Sequence, residues 1–376
     1  MDDHALHLRQ LTLGHANLSN VQRQALRHKQ EAVRKVIVRA RAPLRISFGG
    51  GGTDVPPYPQ RYGGLVLSAT IDRYAYCSVQ SAQRGYHFHS ADLELEEIYT
   101  DLANLQYGGK LDLAKAVVKA LAPQNPKKFS LSLFTEAPPG SGLGSSSSLM
   151  VAIIRGVSDF LDLKIPRYPL AELAYKLERV VLGIKGGYQD QYAATFGGFN
   201  FIEFGDKVTV NPLKLSQEIL HELHANLLLV NTGEGRLSSN ILSRQIASYE
   251  REDHAVMQSL SEIKRIGMEM KSALVRGDLG DFGHLISQEW EQKKQLDEKI
   301  STKTIEALYL GALRNGAQGG KVLGAGGGGH MMFVVPLSKR RDVNKFLVSR
   351  GYQEIHFGFD DEGAVSWRVD EQRVLA

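Results

Sequence analysis

A two-domain α+β architecture is what this sequence predicts, on three observations. Short apolar or alternating runs are interleaved irregularly with helical periodicities up to about residue 210. Beyond that point the balance shifts to long amphipathic helices with a few short strands. The chain has 376 residues, 43% of them hydrophobic, which suffices for two cores.

In the first half, strands are expected at residues 37–40, 65–71, 74–79, 129–135 and 199–204, where apolar residues run together or alternate with small polar ones. Helices are expected at 112–121, 149–161 and 170–182, from apolar positions three and four apart. In the second half, helices are expected around 238–270, 281–299 and 302–315, with strands at 227–230, 331–335 and 364–369. The division expected is therefore 36–210 and 211–376. Residues 1–35 stand apart as a basic extension, with a helix over 20–35 that places Leu18, Val21, Ala25 and Ala32 along one side. That helix is expected to pack on the body or on a partner subunit, which makes a homodimer an expectation.

Charge and cysteine content exclude several classes. The formal net charge is +4, but residues 1–41 hold eight Lys/Arg against three Asp/Glu, so the body is close to neutral and a nucleic-acid partner is not expected. No stretch reaches membrane-spanning length. The single cysteine, Cys77, supports neither an intramolecular disulfide nor a cysteine-rich zinc site, and a cytoplasmic location is expected.

The chemistry concentrates in three glycine clusters. The run Pro138-Pro139-Gly140-Ser141-Gly142-Leu143-Gly144-Ser145-Ser146-Ser147-Ser148 lies between an expected strand and an expected helix. Its glycines allow the backbone to approach an anion, the amides at the helix start can donate to phosphate oxygens, and the serine hydroxyls can meet Mg2+. It lacks the Gly-Lys-Ser/Thr ending of a Walker A loop. An earlier cluster, Gly49 to Gly52, ends in Thr53 and Asp54 and follows Arg45, so a ligand can lie on bare backbone beside a carboxylate that accepts hydrogen bonds from sugar hydroxyls. A later one, Gly324-Ala325-Gly326-Gly327-Gly328-Gly329, precedes a strand and is suited to close over a phosphate or over the loop that holds it.

In order, spacing and residue type, the three clusters resemble the signature motifs of the GHMP kinases, and the resemblance runs from Val36 to the C-terminus. It implies a ribosomal protein S5 domain 2-like N-terminal domain, a ferredoxin-like C-terminal domain, and an active site between them that uses ATP and Mg2+. It also implies phosphate contacts from Pro139, Gly140, Ser141, Gly142, Leu143, Gly144, Ser145, Ser146 and Ser147. Asp190, followed by Gln191, is implied as the base facing the accepting hydroxyl, with Arg45 stabilising charge and Lys185 sharing that work. Ser146 and Glu178 are implied as Mg2+ ligands, and Gly51, Gly52, Thr53, Asp54, Arg236, Gly326 and Gly327 as the substrate wall.

The Asp190-Gln191 pair and the segment at 231–242 resemble the branch of the family that phosphorylates the anomeric hydroxyl of sugars. The substrate this implies is D-glycero-D-manno-heptose 7-phosphate, on the route to GDP-heptose for surface glycans, with L-fucose or another hexose as the alternative. A reading of another class is a GHMP-fold binding or regulatory protein that has lost catalysis. Retention of Asp190, Ser146 and Glu178 argues against it.

Overall fold

The computed structural model describes residues 36–123, 126–233 and 238–370. The expected N-terminal helix and Arg236 lie outside the described residues. The described residues open with two long strands, β1 (Ile37–Gly49) and β2 (Gly64–Ser81), joined by the first glycine cluster and a short helical turn. The two runs expected at 65–71 and 74–79 are one strand. Asp72 and Arg73 break the apolar alternation without ending it, because they form a bulge: Leu44 of β1 pairs with Ile71 and Pro43 with Tyr74.

After these come β3 (Tyr86–Ser90), β4 (Leu95–Tyr99), α1 (Asp112–Leu121), β5 (Phe129–Thr135), α2 (Ser145–Phe160) and α3 (Arg167–Tyr175). A π-helical turn (Lys176–Val181), α4 (Gln189–Phe196), β6 (Phe199–Phe204) and β7 (Thr209–Pro212) complete the first half. The second half holds α5 (Gln217–Asn226), β8 (Leu227–Asn231), α6 (Ser238–Glu250), α7 (His254–Arg276), α8 (Leu279–Lys294) and α9 (Lys303–Arg314). It ends with β9 (Gly319–Val322), β10 (His330–Val334), α10 (Arg340–Ser349) and β11 (Val365–Val369). The helix expected over 238–270 is two helices. The chain turns between them, where Glu252 takes a φ of 53° and Asp253 caps α7 by accepting from the amides of Ala255 and Val256.

The larger sheet runs β11-β1-β2-β5-β3-β4, with β6 pairing the start of β2 and β7 pairing β6; only β3 and β5 run parallel. The smaller sheet is antiparallel, β8-β10-β9, and a bridge between Val230 and Glu354 extends it past β8. The strand at the C-terminal end was expected in the second domain. It instead pairs antiparallel with β1, Ile37 opposite Val369, because the outer edge of β1 has no other partner strand among the described residues.

Nor are the two halves separate cores. One apolar cluster packs α1 and α2 on the large sheet through Leu131, Val151 and Ile154, and another fills the second half around Trp290 and Phe333. A third is shared: Phe48 and Leu67 of the large sheet meet Met270, Phe282 and Met332 from α7, α8 and β10. In the second-half cluster Trp290 is fully buried as a packing residue. No helix among the described residues is long and apolar enough to cross a membrane.

Candidate active site

The cavity between the halves is built on the start of α2. Gly144 caps that helix in the left-handed conformation, φ 78°, and no side chain caps it, so its first amides are left for a ligand. A side chain at Gly144 would also press on the Asp190 carboxyl and the Arg45 stem, each about 3.5 Å from where a Cβ would sit. Ser148 Oγ donates to Pro43 O at 2.8 Å and pins this turn to β1. Gly140, Gly142, Gly144, Ser145, Ser146 and Ser147 line the cavity.

Three residues expected to contact phosphate do not line it. Pro139 is exposed at the turn. Leu143 is buried in the shared core, with its carbonyl accepting from the Arg45 amide at 3.0 Å. The Ser141 carbonyl is taken by both the amide (3.0 Å) and Nδ1 (2.6 Å) of His330. A carbonyl only accepts, so His330 Nδ1 carries the proton; burial lowers the pKa of this ring.

The third glycine cluster closes against this loop. A Cβ on Gly324 would lie 2.7 Å from the Gly142 Cα, so the two backbones are in direct contact. Gly326 lines the cavity. Gly327 does not, since its side-chain direction points at Ile241 and Lys299 O.

Across from the phosphate loop, α4 presents Asp190 in its first turn. Arg45 Nε donates to Asp190 Oδ1 at 2.7 Å, Nη2 lies at the same distance, and Nη1 donates to Gly142 O at 2.5 Å. Arg45 is 3% exposed while the Asp190 side chain is 19% exposed, so the cation is a fixed backing and the carboxylate faces the cavity. Lys185 is exposed on the cavity rim and forms no ion pair with Asp190.

Glu178 lies in the π-helical turn and is fully buried. It accepts from Ser146 Oγ and Ser147 Oγ at 2.7 Å each and from Gln191 Nε2 at 2.6 Å, and Arg179 Nη1 lies 3.3 Å away. Hard oxygen donors at the head of a phosphate loop fit Mg2+, which takes few protein ligands and completes its shell with water and phosphate. Ser146 and Glu178 are the pair that would hold it.

The first cluster is tied to α4. Asp54 is fully buried and accepts from the amides of Gly52 and Gln189, both at 3.1 Å, and from Gln189 Nε2 at 3.2 Å. Burial, and then the Asp190 charge, push its carboxyl up from the usual range. Asp54 lines the cavity, and its oxygens also orient the turn that starts α4. Thr53 does not line it: its hydroxyl bridges Gly50 O (2.7 Å), Leu65 O (2.8 Å) and Leu65 N (3.0 Å) inside the fold. Gly51 and Gly52 do line the cavity.

Sequence reasoning missed Lys293, at the end of α8. It is buried, lines the cavity, and donates to Gly324 O at 2.6 Å. Burial, with the positive charges of Lys321 and Arg45, brings its amine down to about 7 from 10.5, against the opposing pull of Glu289 and Asp54. The unfolded chain keeps this proton to about pH 10.5, so between pH 7 and pH 9.5 it binds more protons than the native state and stability rises with pH. Urea unfolding at pH 7 and pH 9.5 is expected to show that gain in the wild type and a smaller one in Lys293→Met; equal gains would contradict it. The signal for Lys293 was present in the sequence. Phe282, Leu285, Ile286, Glu289 and Lys293 share one helical stripe, so two charges fall in the buried face.

The chain is similar to known proteins. Residues 112–198 match the family described as GHMP kinases N terminal domain, and residues 270–353 match GHMP kinases C terminal. The D-glycero-alpha-D-manno-heptose 7-phosphate kinase of Campylobacter jejuni is 39% identical over 88% of this chain and 99% of its own length. The L-fucokinase/L-fucose-1-P guanylyltransferase of Bacteroides fragilis is 29% identical over 79% of this chain, which spans 34% of that protein. A crystal structure described as a D-glycero-D-manno-heptose 1-phosphate kinase from Bacteriodes thetaiotaomicron superposes with a TM-score of 0.75 at 34% identity, over 89% of this chain and all of that one. With likeness of this extent joined to a serine-rich helix start and a carboxylate set across from it, the chain belongs to the GHMP kinases.

Proposed function

We propose that this chain transfers the γ-phosphoryl group of ATP to the anomeric hydroxyl of D-glycero-α-D-manno-heptose 7-phosphate, giving the 1,7-bisphosphate, a step toward GDP-heptose for surface glycans. The observation that carries phosphoryl transfer is the Asp190 carboxylate, backed by the buried Arg45, beside the open helix start of α2. The heptose substrate is supported by the 39% identity, over nearly the whole of both chains, to the Campylobacter jejuni protein of that name.

Phosphoryl transfer asks a protein mainly for alignment and charge stabilisation. The amides of Ser145, Ser146 and Ser147 hold the phosphates. Ser146 and Glu178 would hold Mg2+, which would supply further neutralisation of the triphosphate. As the sugar O1–P bond forms, the bond from phosphorus to the β,γ-bridging oxygen breaks and ADP leaves. The O1 proton passes to a carboxylate oxygen of Asp190. Arg45 holds that carboxylate in place and offers positive charge to the transferring group. Lys185, on the rim, is suited to the sugar's phosphate tail.

The test is a MgATP-dependent assay with heptose 7-phosphate, L-fucose, D-galactose and D-mannose, with 31P NMR locating the new phosphate. Turnover is expected to favour the heptose phosphate and to give a 1,7-bisphosphate. Preference for L-fucose would support the reading that the Bacteroides fragilis relative favours, and turnover of no sugar would support a binding protein.

A further inference from the structure

Three buried polar atoms on residues that line the cavity, Ser47 Oγ, Gln189 Oε1 and Gln245 Nε2, have no hydrogen-bond partner among the described residues. Ser47 is 4% exposed, Gln245 2% and Lys293 5%. The point where a Gly51 side chain would begin lies 3.7 Å from Ser47 Oγ, 3.8 Å from Gln189 Nε2 and 4.0 Å from Lys293 Nζ. Ser47, Gln189 and Lys293 therefore face one space that the glycine at 51 leaves open, and Gln245 lines the same cavity. Lys293 donates to a single acceptor, Gly324 O, has further N–H groups to offer, and forms no ion pair among the described residues. Buried groups left unpaired are costly, so a site that carries several is shaped for a ligand that completes them.

We propose that Lys293, Gln245, Ser47 and Gln189 form a hydroxyl-reading subsite over Gly51 that selects the acceptor by its sugar ring. The assignment rests on the sugar-kinase reading above and adds specificity residues from α6 and α8 to it. The donor and acceptor balance decides which part of the ligand sits there. A phosphate only accepts and would leave Gln189 Oε1 unpaired, whereas each sugar hydroxyl both donates and accepts, as Ser47 does. Lys293 and Gln245 donate, Gln189 Oε1 accepts, and the ring lies between halves that contribute one side each. The 7-phosphate then points elsewhere.

Isothermal titration at pH 7 tests this without turnover, using D-glycero-D-manno-heptose 7-phosphate and the unphosphorylated heptose on the wild type, Lys293→Met and Gln245→Leu. Both variants are expected to bind MgATP within about twofold of the wild type and to lose at least about tenfold in affinity for each sugar, by similar factors. Unchanged sugar affinity, an equal loss for MgATP, or a loss confined to the phosphorylated sugar overturns the subsite. So does a wild type that binds neither sugar, or binds only through the phosphate. Gln245→Leu carries the test alone if Lys293→Met does not fold. A wild type that binds the heptose phosphate without phosphorylating it would sink the kinase reading and leave the subsite standing.

Discussion

Asp190→Asn is expected to bind MgATP as the wild type does and to lose about 10²–10⁴-fold in turnover, the usual contribution of a positioned general base. The substitution keeps the size of the side chain and leaves an oxygen that can still accept from Arg45 Nε, now 2.7 Å from Asp190 Oδ1. What it removes is the ability to take a proton. The phosphate loop is held independently, by Ser148 on Pro43 O and by Ser146 and Ser147 on Glu178, so nucleotide affinity does not depend on the exchanged group. Steady-state kinetics beside a nucleotide titration separates the effects. Turnover near the wild-type rate would remove Asp190 as the base, and loss of nucleotide binding would make it a structural residue of the loop.

How much of this site was legible in the sequence depends on how local its cause is. The phosphate loop is visible because its glycines are demanded by backbone geometry within a few residues, as at Gly144, and because the serines follow directly in the helix start. Asp190, Arg45 and Glu178 were found through motif resemblance, and the structure brings the first two into contact and places the third on Ser146. The individual loop positions were less legible. Thr53 and Ser141 look like ligand contacts but spend their polar groups on Leu65 and His330, residues that only the tertiary fold brings near. The pairing of β11 with β1 was invisible for the same reason, since strand order is set by which edge is left unpaired. Lys293 and Gln245 lie far along the chain from the glycine clusters, on helices where Lys and Gln ordinarily mark a solvated face. Only their position within an apolar stripe, as with Glu289 and Lys293 on α8, distinguishes such residues from surface charge.

The stripe on α8 leads to the largest stability effect expected of this chain. Glu289 is fully buried and Lys321, on β9, is 1% exposed; they form an ion pair, and Lys321 Nζ also donates to Phe48 O at the end of β1 at 3.0 Å. One ammonium thus ties α8, the small sheet and the large sheet together, one helical turn from Lys293. Replacing Lys321 with Met leaves the Glu289 carboxylate buried without its partner, and such a change costs about 3–5 kcal/mol. Replacing both members, Lys321→Met with Glu289→Met, removes the stranded charge and is expected to recover most of that loss, since buried pairs are often matched by apolar residues of similar volume. Urea unfolding midpoints of the two single variants and the double variant decide the matter. A double variant as unstable as Lys321→Met would show that the bond to Phe48 O, not the charge pair, holds the halves together. A Lys321→Met protein as stable as the wild type would mean that Glu289 finds a proton or another donor. If the pair acts as the geometry indicates, the double variant will be stable and yet weak in sugar binding, because the face of α8 that presents Lys293 is no longer fixed against β1 and β9.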